Sequence, residues 1–238
     1  METSTKQIVD PIQLAAPGSL YARLRKACVK DWQAYTGHDF VQELADGSLP
    51  EPAFRYYLGQ DYLFLIHFAR AYGLAVYKAD ALDDMRAAAA SLSAILDTEM
   101  ALHVKFCAGW GMSEADMATL PEDPATMAYT RYVLEAGLAG DLLDLHVALA
   151  PCIIGYAEIG ATLAAKGTAR RTGNPYREWI EMYAGDDYQQ VARDEIEILE
   201  QLGERRGGEA RFDALANTFR RATRLEAEFW QMGLDAAR

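Results

Sequence analysis

The sequence is poor in the features that mark several common protein classes. It holds three cysteines, Cys28, Cys107 and Cys152, widely spaced and without a Cys-x-x-Cys pair. That argues against a disulfide framework and fits a reducing, cytoplasmic setting. Basic residues are few: lysine plus arginine total 23 against 35 aspartates and glutamates, a formal net charge of −12. The basic pairs Arg170-Arg171, Arg205-Arg206 and Arg220-Arg221 are short, so neither a nucleic-acid partner nor a membrane surface is expected. The opening METSTKQIVDPIQLAAPGS lacks the basic and then apolar order of a signal peptide. The longest apolar runs are interrupted by Asp61, His67, Arg70 or Glu158, so no span reaches the ~18 residues of a transmembrane helix. β-branched residues are sparse, and no stretch alternates over strand length.

What is present is helix periodicity. Ala, Leu, Glu, Arg and Met abound, and all are good helix formers. The pattern predicts helices over Ser19–Tyr35, Phe40–Ala45, Glu51–Tyr77, Leu82–Trp110, Ala125–Leu138 and Leu142–Ala165, and a short one capped by Ser113-x-x-Asp116. Three more are predicted from Asn174-Pro175 to Tyr183, from Gly185 to Leu202 and over Ala210–Met232. Prolines 50 and 52 suit a first helical turn, and Gly207-Gly208 breaks the chain. The prediction is an all-α, single-domain helical bundle over 19–238, with 1–18 as an N-terminal extension.

Several polar groups fall on apolar faces, where an unpaired charge is costly. Asp61 shares a face with Tyr57, Phe64, Leu65 and Phe68. An acid there points into a pocket, pairs with a buried cation or hydrogen-bonds another helix. Glu226 occupies a core position in the stripe Phe212, Leu215, Phe219, Ala222, Glu226, Trp230. The alternative to a functional role is a buried ion pair with Arg220, Arg221 or Arg224, which mostly lie on other faces. In LHVALAPCIIGYAEIG, Pro151 interrupts an apolar run just before Cys152, and Tyr156 stacks one turn later. Cys152 is either a working thiol or a small buried hydrophobe. Glu158 lies on a different face, suited to bridging helices. Glu99 and His103, at i and i+4, read as a salt-linked core pair or as half of a metal site. Cys28 and Cys107 read as core.

The ordered motifs HDFVQELADGSLPEPAFRYYLGQDYLFLIHFARAY, EMALHVKF, PATMAYTRYV, ALAPCIIGYAEIG, NPYREWIEMYAGDDYQQ and EAEFWQM resemble those of the thiaminase II family, the TenA-like aminopyrimidine hydrolases, in the subclass that carries a cysteine. The resemblance runs from about Tyr21 to Met232. It implies a heme-oxygenase-like fold, a homotetramer, a small-molecule pyrimidine substrate and no cofactor or metal. It also implies catalytic roles for Cys152 as nucleophile, Asp61 as the group orienting the ring, and Glu226 as proton carrier. Phe64, Tyr129, Tyr156 and Tyr183 would contact the substrate. The chain departs from the family at Phe64, at Ile153 and Ile154, and at Asp187 and Tyr188, which bears on substrate preference. The fold also hosts heme enzymes, whose early helix supplies a histidine; Ser19–Tyr35 has none. The rival readings are a metal-dependent oxidase using Glu99 and His103, and a non-catalytic regulator that binds thiamine or the pyrimidine.

Overall fold

A computed structural model describes residues 15–165 and 173–238. The pair Arg170-Arg171 and most of the expected extension over 1–18 lie outside them. The described residues form helices without strands: α1 (Leu20–Ala27), α2 (Val29–Thr36), α3 (Asp39–Asp46), α4 (Glu51–Lys78), α5 (Leu82–Ala94), α6 (Met100–Ala108), α7 (Glu114–Ala118), α8 (Pro124–Ala139), α9 (Leu142–Ala165), α10 (Arg177–Ala184), α11 (Asp186–Arg205) and α12 (Phe212–Asp235).

Most boundaries follow local chemistry. Ser19 accepts from the Ala22 amide, and the Glu200 carboxylate takes the Leu20 and Tyr21 amides at 2.8 and 3.0 Å, so an acid sits on the positive end of α1. Pro50 and Pro52 open α4 where no amide is needed. Ser113 and Asp116 form a reciprocal capping box at α7. Gly47, at φ +83°, closes α3 in the left-handed region.

Two expected helices are divided. Ser19–Tyr35 bends at Cys28 (φ −122°, ψ 29°) into α1 and α2. Arg25 before the bend and Trp32 after it both donate to Glu158 of α9, at 2.8 and 2.7 Å, so Glu158 bridges three helices. Leu82–Trp110 contains a π-helical turn, Ile95–Glu99, between α5 and α6. Both conformations use residues of similar propensity, so periodicity alone reads them as one helix.

α9 is continuous through Pro151. Proline lacks the amide that would reach the Val147 carbonyl, yet surrounding packing holds the helix together. By length and composition α9 can cross a membrane, with mean hydropathy 1.6, contrary to the sequence expectation; most of it is buried inside the molecule. It packs on α8, α10, α11 and α12, while α4 packs on α5, α8 and α12. A second buried link, His146 Nδ1 to Glu195 Oε1 at 2.9 Å, ties α9 to α11. Cys28 and Cys107 are both buried.

Candidate active site

A cavity of about 940 Å³ opens between α4, the end of α5 with its π-turn, α9, α10 and α11. Asp61, Phe64, Cys152, Tyr156 and Tyr183, singled out from sequence, line it together. Tyr129 and Glu226 are not among the lining residues. They lie behind Cys152, with Tyr129 Oη donating to Glu226 Oε1 at 2.7 Å and the Glu226 carboxyl close enough to the thiol to act on its charge.

Asp61 is held from two sides. His103 Nε2 lies 2.6 Å from its Oδ2, and Tyr57 Oη donates to the same oxygen at 3.0 Å. His103 Nδ1 faces the Glu99 carbonyl at 2.9 Å. Both ring nitrogens thus face acceptors, which suits the doubly protonated ring. Burial opposes that charge, but the Asp61 carboxylate outweighs it and raises the His103 pKa. Tyr156 Oη sits 3.2 Å from Tyr57 Oη, extending the network along α9. Asp61 Oδ1 makes no hydrogen bond among the described residues and remains for a ligand. Tyr57 and His103 carried a weak sequence signal: a tyrosine one turn before Asp61 and a Glu-x-x-x-His spacing. The expected core pair between Glu99 and His103 gives way to a His103–Asp61 pair. Both nitrogens of His103 are engaged, and no group of three or more His, Cys, Asp or Glu among the described residues is arranged to hold a metal.

The thiol is kept neutral at rest. Burial first, then the carboxyls of Glu226, Glu99 and Asp61, pushes the Cys152 pKa well above its usual value. Burial also raises Glu226 to about 8, although the hydrogen bond from Tyr129 pulls the other way. A carboxylic acid has one oxygen that accepts and one that donates, so Glu226 can take the thiol proton while giving up its own.

Aromatic rings form the walls. Tyr156 and Tyr183 meet edge to face at 4.8 Å, Tyr183 and Tyr188 at 4.7 Å, and Phe64 stacks on Phe68 at 5.2 Å. Such a slot takes a flat ring.

The match to the TENA/THI-4/PQQC family spans residues 25–236. The chain belongs to this family. A TenA family transcription regulator from Silicibacter sp. TM1040 is 44% identical, with a TM-score of 0.86 over 91% of this chain and 97% of its own. An aminopyrimidine aminohydrolase of Halalkalibacterium halodurans is 37% identical over 90% of this chain and 95% of its own length. A domain of unknown function with a heme oxygenase-like fold from Shewanella denitrificans is 15% identical, with a TM-score of 0.71 over 93% of each chain; at that identity it shows the fold. The fold expected from the family resemblance is therefore present.

Proposed function

We propose that this family member is an aminopyrimidine aminohydrolase, a thiaminase II. It would replace the leaving group on the methylene of a 4-amino-2-methylpyrimidine by water. The leaving group is ammonia from the aminomethyl compound or the thiazolium of thiamine. One observation carries the reading: a cysteine thiol, backed by a Tyr129–Glu226 hydrogen bond, faces the same cavity as an aspartate whose second oxygen is unoccupied.

Direct displacement on that methylene is slow, and covalent catalysis divides it into easier steps. The Asp61 carboxylate accepts a hydrogen bond from the 4-amino group and so orients the ring. Phe64, Tyr156 and Tyr183 hold the ring, and Tyr129 positions Glu226. The Cys152 sulfur bonds to C6. Its proton passes to Glu226, which protonates N1, so neither a free thiolate nor a ring anion accumulates. The 4-amino lone pair then expels the leaving group, and the resulting cationic nitrogen lies against Asp61. Water adds to the exocyclic methylene and loses a proton. Glu226 takes the N1 proton back as the C–S bond breaks, and the ring regains aromaticity. The step consumes water and needs no cofactor. A salvage role, a cytoplasmic setting for the free thiols, and a homotetrameric assembly complete the proposal.

Product formation by mass spectrometry tests it. Metal-free protein is incubated with the aminomethyl-pyrimidine and with thiamine, beside Cys152→Ser. Hydroxymethyl-pyrimidine should form only with the intact thiol, while the serine variant still binds pyrimidine. Turnover by the serine variant would overturn the nucleophile assignment. Tight binding without wild-type turnover would indicate the regulator instead.

A further inference from the structure

Among the cavity carboxyls that the scheme above leaves without work, Glu99 is the one whose charge is felt by both Asp61 and Cys152. Glu99 is the last residue of the π-turn and lines the cavity with Cys152 and Asp61. It shares that wall with Asp61 and Tyr72 of α4, Cys152 of α9, Tyr183 of α10 and Tyr188 of α11, with His103 one turn further on. Glu226, behind the thiol, is committed to the proton of N1 in that scheme, and Oδ2 of Asp61 is already taken by His103 and Tyr57. The departing group therefore leaves into a space where no acid assigned so far can serve it. π-turns recur at functional sites because they re-aim side chains that a regular helix would turn elsewhere.

Resting on the hydrolase reading, we propose that Glu99 is the catalytic residue for the leaving nitrogen: its carboxyl and the departing amine hold one proton between them, so the amine leaves as ammonia. A carboxylic acid against a free amine and a carboxylate against an ammonium are the same protonation state of this pair. When the C–N bond breaks, its electron pair goes to nitrogen, which departs with the shared proton. Water then bonds to the methylene, and the proton it releases restores the Glu99 acid. Burial holds Glu99 at about 7 rather than 4.5, so both forms are accessible at neutral pH. The thiazolium of thiamine is different in kind: it leaves as a neutral thiazole and needs no proton.

That difference supplies the test. Wild-type, Glu99→Gln and Glu99→Asp proteins, shown to be folded by their melting temperatures, are assayed with the aminomethyl-pyrimidine and with thiamine across pH. With Gln, kcat/KM for the amine should fall about a hundredfold, at the low end for lost general acid–base catalysis, and Asp should restore part of it. Thiamine cleavage should fall less than about tenfold. A pH limb near 7 should be present for the amine in the wild type and absent in the Gln variant. Equal losses on both substrates would reduce Glu99 to packing or binding and overturn the proposal, as would no loss on either. Wild-type protein inert to both substrates would instead bring down the hydrolase reading, and this proposal with it.

Discussion

At the residue scale, the site stores protons where water would remove them. Glu226 is almost wholly enclosed, so its acid is retained to about 8 against an ordinary 4.5. In the unfolded chain the same carboxyl ionises near its ordinary value. Folding therefore binds an extra proton between those two values, and the stability this group provides is full below 4.5 and lost as pH rises through 8. Glu226→Gln keeps an acceptor for Tyr129 but cannot ionise. Its melting temperature should depend less on pH between 5 and 8 than that of the wild type, by the equivalent of roughly 2–4 kcal/mol. Thermal melts at several pH values check this, and parallel curves for the two proteins would show that Glu226 is not a buried acid.

At the scale of elements, the glycines of α9 govern how closely its neighbours approach. A Cβ on Gly160 would stand 2.5 Å from the Tyr183 carbonyl carbon and 2.7 Å from the Ala184 nitrogen, backbone that cannot yield without moving α10. Gly160→Ala should cost about 1–3 kcal/mol by overpacking. It should also shift Tyr183, raising KM more than it lowers kcat. Unchanged KM in steady-state assays would show that α10 can slide without disturbing the ring slot. Helical periodicity made much of this scale legible: α9 runs from Leu142 to Ala165 as expected, and the odd register of Asp61 and Glu226 marked them as more than surface charge. Periodicity describes one helix at a time, however. It could not say that Asp61 would meet His103, 42 residues along the chain, or that Tyr129 would reach Glu226, 97 residues away. Nor could it place Glu226 and Tyr129 behind the thiol rather than on the cavity wall. The bend at Cys28 and the π-turn were hidden for the same reason, since the residues there suit a regular helix equally well.

At the scale of the whole molecule, charge and cavity act in the same sense. The chain carries a net charge of −12, and the cavity lining includes Glu99, Glu181, Asp186, Asp187, Asp194 and Glu195 with no lysine, arginine or histidine. Such a field draws in a cation and leaves a neutral molecule unaffected. The rate constant kcat/KM for thiamine should fall about threefold to tenfold from low salt to ~0.5 M, as the screening length contracts below the width of the cleft. Binding of neutral hydroxymethyl-pyrimidine, followed by calorimetry over the same range, should stay level. A thiamine rate indifferent to salt would mean that the acidic rim is too well solvated to steer anything.

The turn Ile95–Glu99 carries a consequence for how this site can change by inheritance. A π-turn packs one more residue into its loop than an α-turn does, which is what a single inserted codon leaves behind in a helix. Each residue advances a helix by about 100°. Deleting one codon there would close the π-turn to an α-turn with α6 kept in register, so that the His103 imidazole stays on Asp61 while side chains within the turn swing by up to that angle. A lineage could turn the Glu99 carboxyl away from this centre, or toward it, without substituting any of the residues that do its chemistry.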